Sequence, residues 1–151
     1  MKPIRFLRQE ALIINDEIQR AGSGDYLMQI PAGVKGPDGN PLENPMICIG
    51  DLKTGKSDPE YPAGLTAQLA AYGLGWIYDQ DTNSRSPLHP EASREWGVLV
   101  HFPLLVPNST VSFYWVNLDN GLRAAKMNNS LDNMIKFFRS VEGKPIKFEV
   151  A

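Results

Sequence analysis

One segment constrains the fold more than any other, the apolar run Met46-Ile-Cys-Ile-Gly-Asp-Leu-Lys53. Its first residues are apolar at consecutive positions, which is typical of a strand that is buried on both faces, so we expect a central strand of a sheet. The run ends in a carboxylate and an ammonium two residues apart, and such side chains point to the same face of a strand. Burying both charges costs free energy unless something at the strand end uses them.

Apolar and alternating runs separated by polar loops predict the other elements. We expect further strands at residues 11–15, 24–30, 96–103 and 110–117, and helices at about 64–78 and 121–141. Loops rich in Gly, Pro, Asn and Asp are expected at 31–45 and 79–95. The predicted order is β-β-β-α-β-β-α, in which the fourth and fifth strands pair as a hairpin. It predicts an α/β fold with a mixed sheet flanked by helices, in one domain over residues 1–151.

Charge and cysteine content exclude several classes of protein. With 15 basic and 17 acidic residues, the net charge is −2, so DNA binding would need a local basic patch or bound metal. The lone cysteine, Cys48, rules out a multi-cysteine zinc or iron–sulfur site within this chain, and we expect a small buried hydrophobe there. No stretch approaches the ~20 apolar residues of a membrane-spanning helix, and no signal peptide is recognisable. We therefore expect a cytoplasmic protein without a membrane partner.

A metal site would explain why charged residues lie at this strand end. A second carboxylate, Asp25, lies at the start of the neighbouring predicted strand, and two adjacent carboxylates repel unless a cation lies between them. Mg²⁺ prefers one or two carboxylates completed by water and phosphate, with Asp25, Asp51 and the Leu52 carbonyl as candidate ligands. Lys53 could orient or help deprotonate a water for attack on a phosphodiester. Taken alone, however, Asp-x-Lys is more often a surface ion pair.

Two residues of the following helix favour a functional site over a surface ion pair. Gln68 and Tyr72 are four residues apart and so share one helix face. In chain order, the segments Gly22-Ser-Gly-Asp25, Ile49-Gly-Asp-Leu-Lys-Thr-Gly55 and Gln68-Leu-Ala-Ala-Tyr72 resemble the RecB-type branch of the PD-(D/E)xK nucleases. More narrowly, they resemble phage and CRISPR-associated RecB-like exonucleases, in which the three motifs follow one another on strand, strand and helix. The joint match is far more specific than any one motif.

The resemblance implies a fold, a reaction and a role for each residue. The fold would be the restriction-endonuclease-like core, ordered α-β-β-β-α-β. Asp25 and Asp51 would be metal ligands, Lys53 the catalytic lysine, and Gln68 and Tyr72 would support the site or contact the DNA end. The implied activity is hydrolysis of DNA that depends on Mg²⁺ or Mn²⁺. It would be exonucleolytic and act in recombination, repair or phage DNA metabolism, in a bacterial or phage-infected host cell.

One departure from the family pattern concerns the N-terminal part of the fold. The family carries upstream helices, one with a Gly-x-x-x-His motif whose histidine also meets the metal, whereas about ten residues precede the first strand predicted here. The chain therefore resembles the C-terminal part of a longer nuclease fold, for which a second polypeptide could supply the missing helices. Neither His89, in a polar loop, nor His101, in an apolar strand, fits that histidine. We expect His101 to be a packed core residue.

Two other functions remain open from the sequence. A nuclease fold without its upstream helices could be a catalytically incomplete module that binds DNA or a protein. Residues Gly50 to Gly55-Lys56-Ser57 also match the letters of a nucleotide-binding P-loop, although Pro59 and Pro62 disfavour the helix that should follow it. Further candidates for contacts to DNA phosphates or bases are Lys53, Lys56, Arg85, Arg94, Trp96, Phe113, Tyr114 and Trp115.

Overall fold

A computed structural model describes residues 3–55, 63–104 and 106–141, and within these ranges the chain forms one sheet and two helices. The strands are β1 (Arg5–Asn15), β2 (Arg20–Ile30), β3 (Met46–Lys53), β4 (Trp76–Asp79), β5 (Ser84–Ser86), β6 (Trp96–His101) and β7 (Ser112–Asn117). The helices are α1 (Ala63–Gly73) and α2 (Leu118–Val141). The predicted α/β class with a mixed sheet is confirmed.

The sheet has seven strands in the described ranges, in the order β5-β4-β1-β2-β3-β6-β7. Neighbouring strands are antiparallel except β3 and β6, which run parallel with Gly50 opposite Val98 and Lys53 opposite His101. A parallel pair needs a crossover, and α1 lies in the connection between β3 and β6. The apolar run at residues 46–53 is therefore an interior strand, as its composition predicts.

Each face of the sheet has its own apolar core. On one face, α1 and α2 pack over a cluster that includes Ile13, Leu27 and Ile49. The other face carries a second cluster around Met28, Cys48 and Val98. Cys48 is fully buried, which confirms the prediction for this thiol. Because β3 contributes residues to both clusters, its position in the sheet is strongly specified.

The helices approach each other closely at a glycine. A Cβ atom at Gly121 of α2 would lie 2.5 Å from the Thr66 carbonyl oxygen and 2.7 Å from the Ala70 Cβ of α1. Only a residue without a side chain allows this separation. The helix α2 begins at Leu118, three residues before the predicted start, where the Asn117 side chain accepts a hydrogen bond from the Asn120 amide (2.9 Å).

The predicted helix at 64–78 is too long. The structure ends α1 at Gly73, and Trp76, which was expected on its apolar stripe, begins β4 instead. Gly75 turns the chain toward the sheet, since a Cβ there would lie 2.8 Å from the Ile14 carbonyl oxygen. Ile77 of β4 then pairs with Ile13 at the edge of β1 that β2 does not occupy. This pairing satisfies backbone hydrogen-bonding groups of β4 that a longer α1 would have satisfied within the helix.

Smaller differences concern loops and strand ends. The predicted loop at 79–95 contains β5, which forms a hairpin with β4. The strand β2 begins at Arg20 rather than at Gly24, so Asp25 lies inside it, and β6 ends at His101 before Pro103. The predicted hairpin of the strands at 96–103 and 110–117 is present as β6 and β7. Among the helices that the structure describes, none is long and apolar enough to cross a bilayer.

Candidate active site

Two carboxylates meet across β2 and β3. In the antiparallel register Tyr26 pairs with Gly50, so the next position along the same register places Asp25 opposite Asp51. Their side chains are close enough to share a hydrogen bond. Asp51 is buried, with 5% of its surface exposed, whereas Asp25 is half-buried. The two acids that the sequence singles out are therefore neighbours, Asp25 inside β2 and Asp51 near the C-terminal end of β3.

Lys53 completes this group from the same face of β3. Its ammonium nitrogen lies 2.7 Å from Oδ2 of Asp51, and about half of the lysine side chain is exposed. The Oδ2 atom is itself buried, and the Lys53 ammonium is its counter-ion. Apart from this ion pair it has no hydrogen-bond partner in the structure, and a buried acceptor with so little compensation normally costs free energy. Such an atom is well suited to a cation.

The electrostatics of Asp25 reflect the same crowding. Partial burial raises the pKa of its carboxyl, and the hydrogen bond and negative charge of Asp51 raise it further. Lys53 opposes this shift, and the charge of Glu10 adds a smaller increase. Glu10 lies between the paired residues Gln9 and Ala11 of β1, which places it opposite Asp25. The site therefore concentrates negative charge.

The donor set fits a hard divalent cation. Asp25 and Asp51 supply carboxylate oxygens, and the main-chain carbonyl of Leu52 lies between Asp51 and Lys53 in sequence. Within residues 3–55, 63–104 and 106–141, no three His, Cys, Asp or Glu side chains form a group that could hold a metal ion. Two carboxylates are nevertheless what Mg²⁺ commonly takes from a protein, because water and substrate phosphate complete its octahedron.

Gln68 and Tyr72 lie in a cleft next to the strand that carries Asp25, and not at the acidic pair itself. They line a cleft of about 220 Å³ between α1, α2 and the start of β2, in which Gln68 is exposed and Tyr72 half-buried. The Tyr72 ring covers Gly22, where a Cβ atom would lie only 2.6 Å from the tyrosine Oη. Because Gly22 precedes Asp25 by three residues on β2, the cleft borders the strand that carries the acid.

His101 lies next to the site, although the sequence predicts only a core position for it. It is buried, as predicted, and faces Lys53 across the parallel pair of β3 and β6. Its Nε2 atom lies 2.9 Å from the Gly55 carbonyl oxygen and, since that oxygen can only accept, Nε2 is the donor. The Phe102 amide also donates to the Lys53 carbonyl (2.7 Å). These bonds fix the chain that leaves β3 after Lys53.

Neither His101 nor Glu10 belongs to a local motif. Each is brought to the site by pairing between strands that are distant in sequence, His101 by β3 with β6 and Glu10 by β1 with β2. The signal that could have found Glu10 is the register of the first two strands. For His101, it is the parallel neighbour of β3.

The P-loop alternative gains no support from the described residues. Gly50 to Lys53, the first four residues of the pattern, form part of β3, and Gly50 is paired with Val98. A P-loop needs these backbone amides free to surround a phosphate. Lys56 and Ser57, which the pattern also requires, lie outside the described residues.

Several other candidates for DNA contact already have partners in the protein. Arg85 forms an ion pair with Asp16, and Arg94 donates to the Leu74 carbonyl (3.2 Å). The Trp115 indole donates to the Lys35 carbonyl (2.8 Å). Phe113 packs with Trp115 against the second core cluster, whereas Trp96 is half-buried and Tyr114 lies at the surface.

No protein-family model matches the chain, and a comparison with curated proteins finds no match. The function is therefore inferred from the residues themselves and from the way in which the fold arranges them.

Proposed function

We propose that this chain is a metal-dependent DNA nuclease of the RecB-like type, with Asp25, Asp51 and Lys53 at its centre. The observation that carries the proposal is the meeting of Asp25 with the buried Asp51 across β2 and β3, with Lys53 2.7 Å from the Asp51 carboxylate. Three charged groups converge at the end of an otherwise apolar strand. A purely structural ion pair would not need the second acid, which raises the local charge.

The order of elements supports the same proposal. Three antiparallel strands, β1 to β3, are followed by α1 and then by β6, which lies beside β3. This is compatible with the β-β-β-α-β part of the restriction-endonuclease-like core. The hairpin of β4 and β5 would then be an insertion between the helix and the last core strand, at the far edge of the sheet from the acidic pair.

Each residue has a chemical role in this proposal. Asp25, Asp51 and the Leu52 carbonyl would hold Mg²⁺ or Mn²⁺, which when bound supplies Lewis-acid activation of water and of the phosphodiester. Lys53 neutralises part of the charge of Asp51 and presents the exposed end of its ammonium toward substrate and water. Gln68 and Tyr72 line the neighbouring cleft, where they could contact the DNA end.

The test is degradation of end-labelled linear DNA and of circular DNA, with and without Mg²⁺. We expect metal-dependent loss of linear DNA, with the circle left intact if the enzyme is an exonuclease. Lys53→Ala and Asp51→Asn should each lower the rate on the order of 10²–10⁴-fold, the usual contribution of a positioned acid–base group. Lys35→Ala and Asp81→Ala make the same changes of charge at exposed positions and should leave the rate unchanged.

Two results would contradict the proposal. The first is activity that survives both Asp51→Asn and Lys53→Ala, since a contaminating nuclease would behave in that way. The second is the lack of any effect of Mn²⁺ on the thermal stability of the wild-type chain, because a ligand that binds the folded state must stabilise it.

A second candidate is a nuclease fold that is incomplete on its own. It is favoured by the donor set, because the residues that the structure describes offer two clustered carboxylates and no third side-chain ligand. In that case a second polypeptide would supply the missing ligand. The purified chain would then bind DNA without cleaving it, and its DNA affinity would be the same in the Asp51→Asn variant.

A further inference from the structure

Within the described residues, the second half of α2 contributes no side chain to either apolar core. Every residue from Ser130 to Val141 is exposed, whereas the buried residues of the helix lie before Asn129. An ion pair of Asp132 with Arg20 (3.7 Å) ties the beginning of this half to β2. Twelve residues of helix, about 18 Å at 1.5 Å per residue, therefore extend beyond the packed part of the chain.

Such a helix is not stable by itself. Isolated helices shorter than about 12–15 residues are marginal in water even when they are rich in alanine. This half contains Ser130, Asn133, Ser140 and Val141, whose helix propensities are modest or poor. Most helix stability in proteins comes from packing of an apolar face, so these residues would be stabilised if such a face were covered.

The exposed half carries such a face, with the spacing of a coiled-coil seam. Large apolar side chains with half or more of their surface exposed recur at intervals of four and three residues, at Met127, Leu131, Met134, Phe138 and Val141. This is the a/d spacing that packs one helix against another. Ile135 and Phe137 flank the seam and are also exposed. Contiguous apolar patches of this kind mark interaction sites.

We propose that this seam pairs with the same seam of a second copy of the chain, in antiparallel orientation. A two-fold axis between Asp132 and Asn133 would place Leu131 opposite Met134 and Met127 opposite Phe138 of the second copy. Four of the five seam residues then meet a seam residue, and Val141 meets Ala124, a small apolar residue. The seam is therefore self-complementary, as an isologous interface requires. In this arrangement no phenylalanine of the seam lies opposite another phenylalanine of the seam. A parallel pairing in register would instead place Phe138 against Phe138 of the second copy.

The charge pattern allows a copy of the chain as the partner. Residues beside a seam usually select the partner through charge, and here they are Asn128, Ser130, Ile135 and Phe137. None of them is charged, so two copies would not repel each other. The charged residues Asp132, Lys136 and Arg139 lie on the outer side of the helix. This inference does not depend on the proposed nuclease activity.

Sedimentation velocity from about 1 to about 100 µM tests the pairing. We expect a dimer whose dissociation constant rises tenfold or more in the Leu131→Glu/Met134→Glu variant, since one lost apolar contact is worth about a factor of ten. Asn133→Glu adds a charge on the outer side of the same helix and should leave the dimer intact. Loss of helix signal in circular dichroism should accompany dissociation.

Cysteine crosslinking tests the orientation. A mixture of the Asn128→Cys and Ile135→Cys chains should oxidise to a mixed disulfide dimer, because these flanking positions face each other only in the antiparallel arrangement. Cys48 is buried and does not interfere. A wild-type chain that stays monomeric at every concentration would overturn the proposal. A crosslink that instead forms between Ser130→Cys and Ile135→Cys chains would show parallel pairing and overturn the antiparallel geometry.

Discussion

Asp25 is a residue whose ionisation opposes folding when no metal is bound. Its carboxyl lies partly buried beside the Asp51 carboxylate, and both features raise its pKa above the ordinary value. A carboxyl with a raised pKa in the folded state binds its proton more tightly there than in the unfolded chain. The contribution of Asp25 to the free energy of unfolding is therefore most favourable at low pH and becomes less favourable as the pH rises through the interval between the two pKa values.

The raised pKa of Asp25 leads to a prediction for Asp25→Asn. At pH 7 the substitution removes the repulsion without changing the size of the side chain, so the metal-free variant should melt at a higher temperature than the wild type. Below the ordinary pKa of aspartate, near 4, the difference should vanish. Scanning calorimetry across this pH range measures both effects, and added Mn²⁺ should stabilise only the wild type.

Asp38→Asn is the matched control for that measurement. Hydrogen bonds from Asn40 lower the pKa of the exposed Asp38 carboxyl, which is the opposite shift. Removing this charge should not raise the melting temperature at pH 7. If both variants responded alike, a general effect of net charge would explain the result, and the local repulsion at Asp25 would be the wrong explanation.

At the scale of elements, the contact between α1 and α2 depends on Gly121. Gly121→Ala should cost about 1–3 kcal/mol of stability, because a Cβ placed 2.5 Å from the Thr66 carbonyl oxygen forces the helices apart. Gly64→Ala in α1 is the control, since a Cβ there meets no atom within 4 Å. Urea denaturation would measure the difference, and equal stability of the two variants would contradict the close approach.

The sequence predicts those features of the fold that residues close together in the chain determine. The apolar run of β3 identifies an interior strand because consecutive apolar residues need cover on both faces. The turn of the chain at Gly75 could not be found in this way, because the pairing of Ile77 with Ile13 joins residues that are distant in sequence. A helical stripe through Leu69 and Trp76 was the better local fit, and tertiary pairing overrode it.

The same distinction holds for the site. Asp51 and Lys53 share a strand, so their side chains could be placed on one face from spacing alone. Placing Asp25 near them needed only the adjacency of two strands. Glu10 and His101 could not be found, because each reaches the site through a register that no local pattern encodes.

At the scale of the whole molecule, Cys48 reports on global unfolding. It lies in the middle of the sheet, and burial raises the pKa of its thiol to about 12. Because the thiolate is the reactive form, labelling by a thiol reagent at pH 8 requires the sheet to open. We expect labelling on the order of 10³-fold or more slower than in urea-unfolded chain. Fast labelling of the folded protein would contradict the described packing of β3.

The parallel pairing of β3 with β6 also bears on how the chain folds. Four residues connect β1 to β2 and fifteen connect β2 to β3, but β6 reaches β3 only after α1 and the hairpin of β4 and β5. Closing a long loop costs entropy before any contact compensates for it, so this pairing is expected to be slow. The two carboxylates would therefore come together early, and the contacts of His101 and Phe102 that fix the chain after Lys53 would form late.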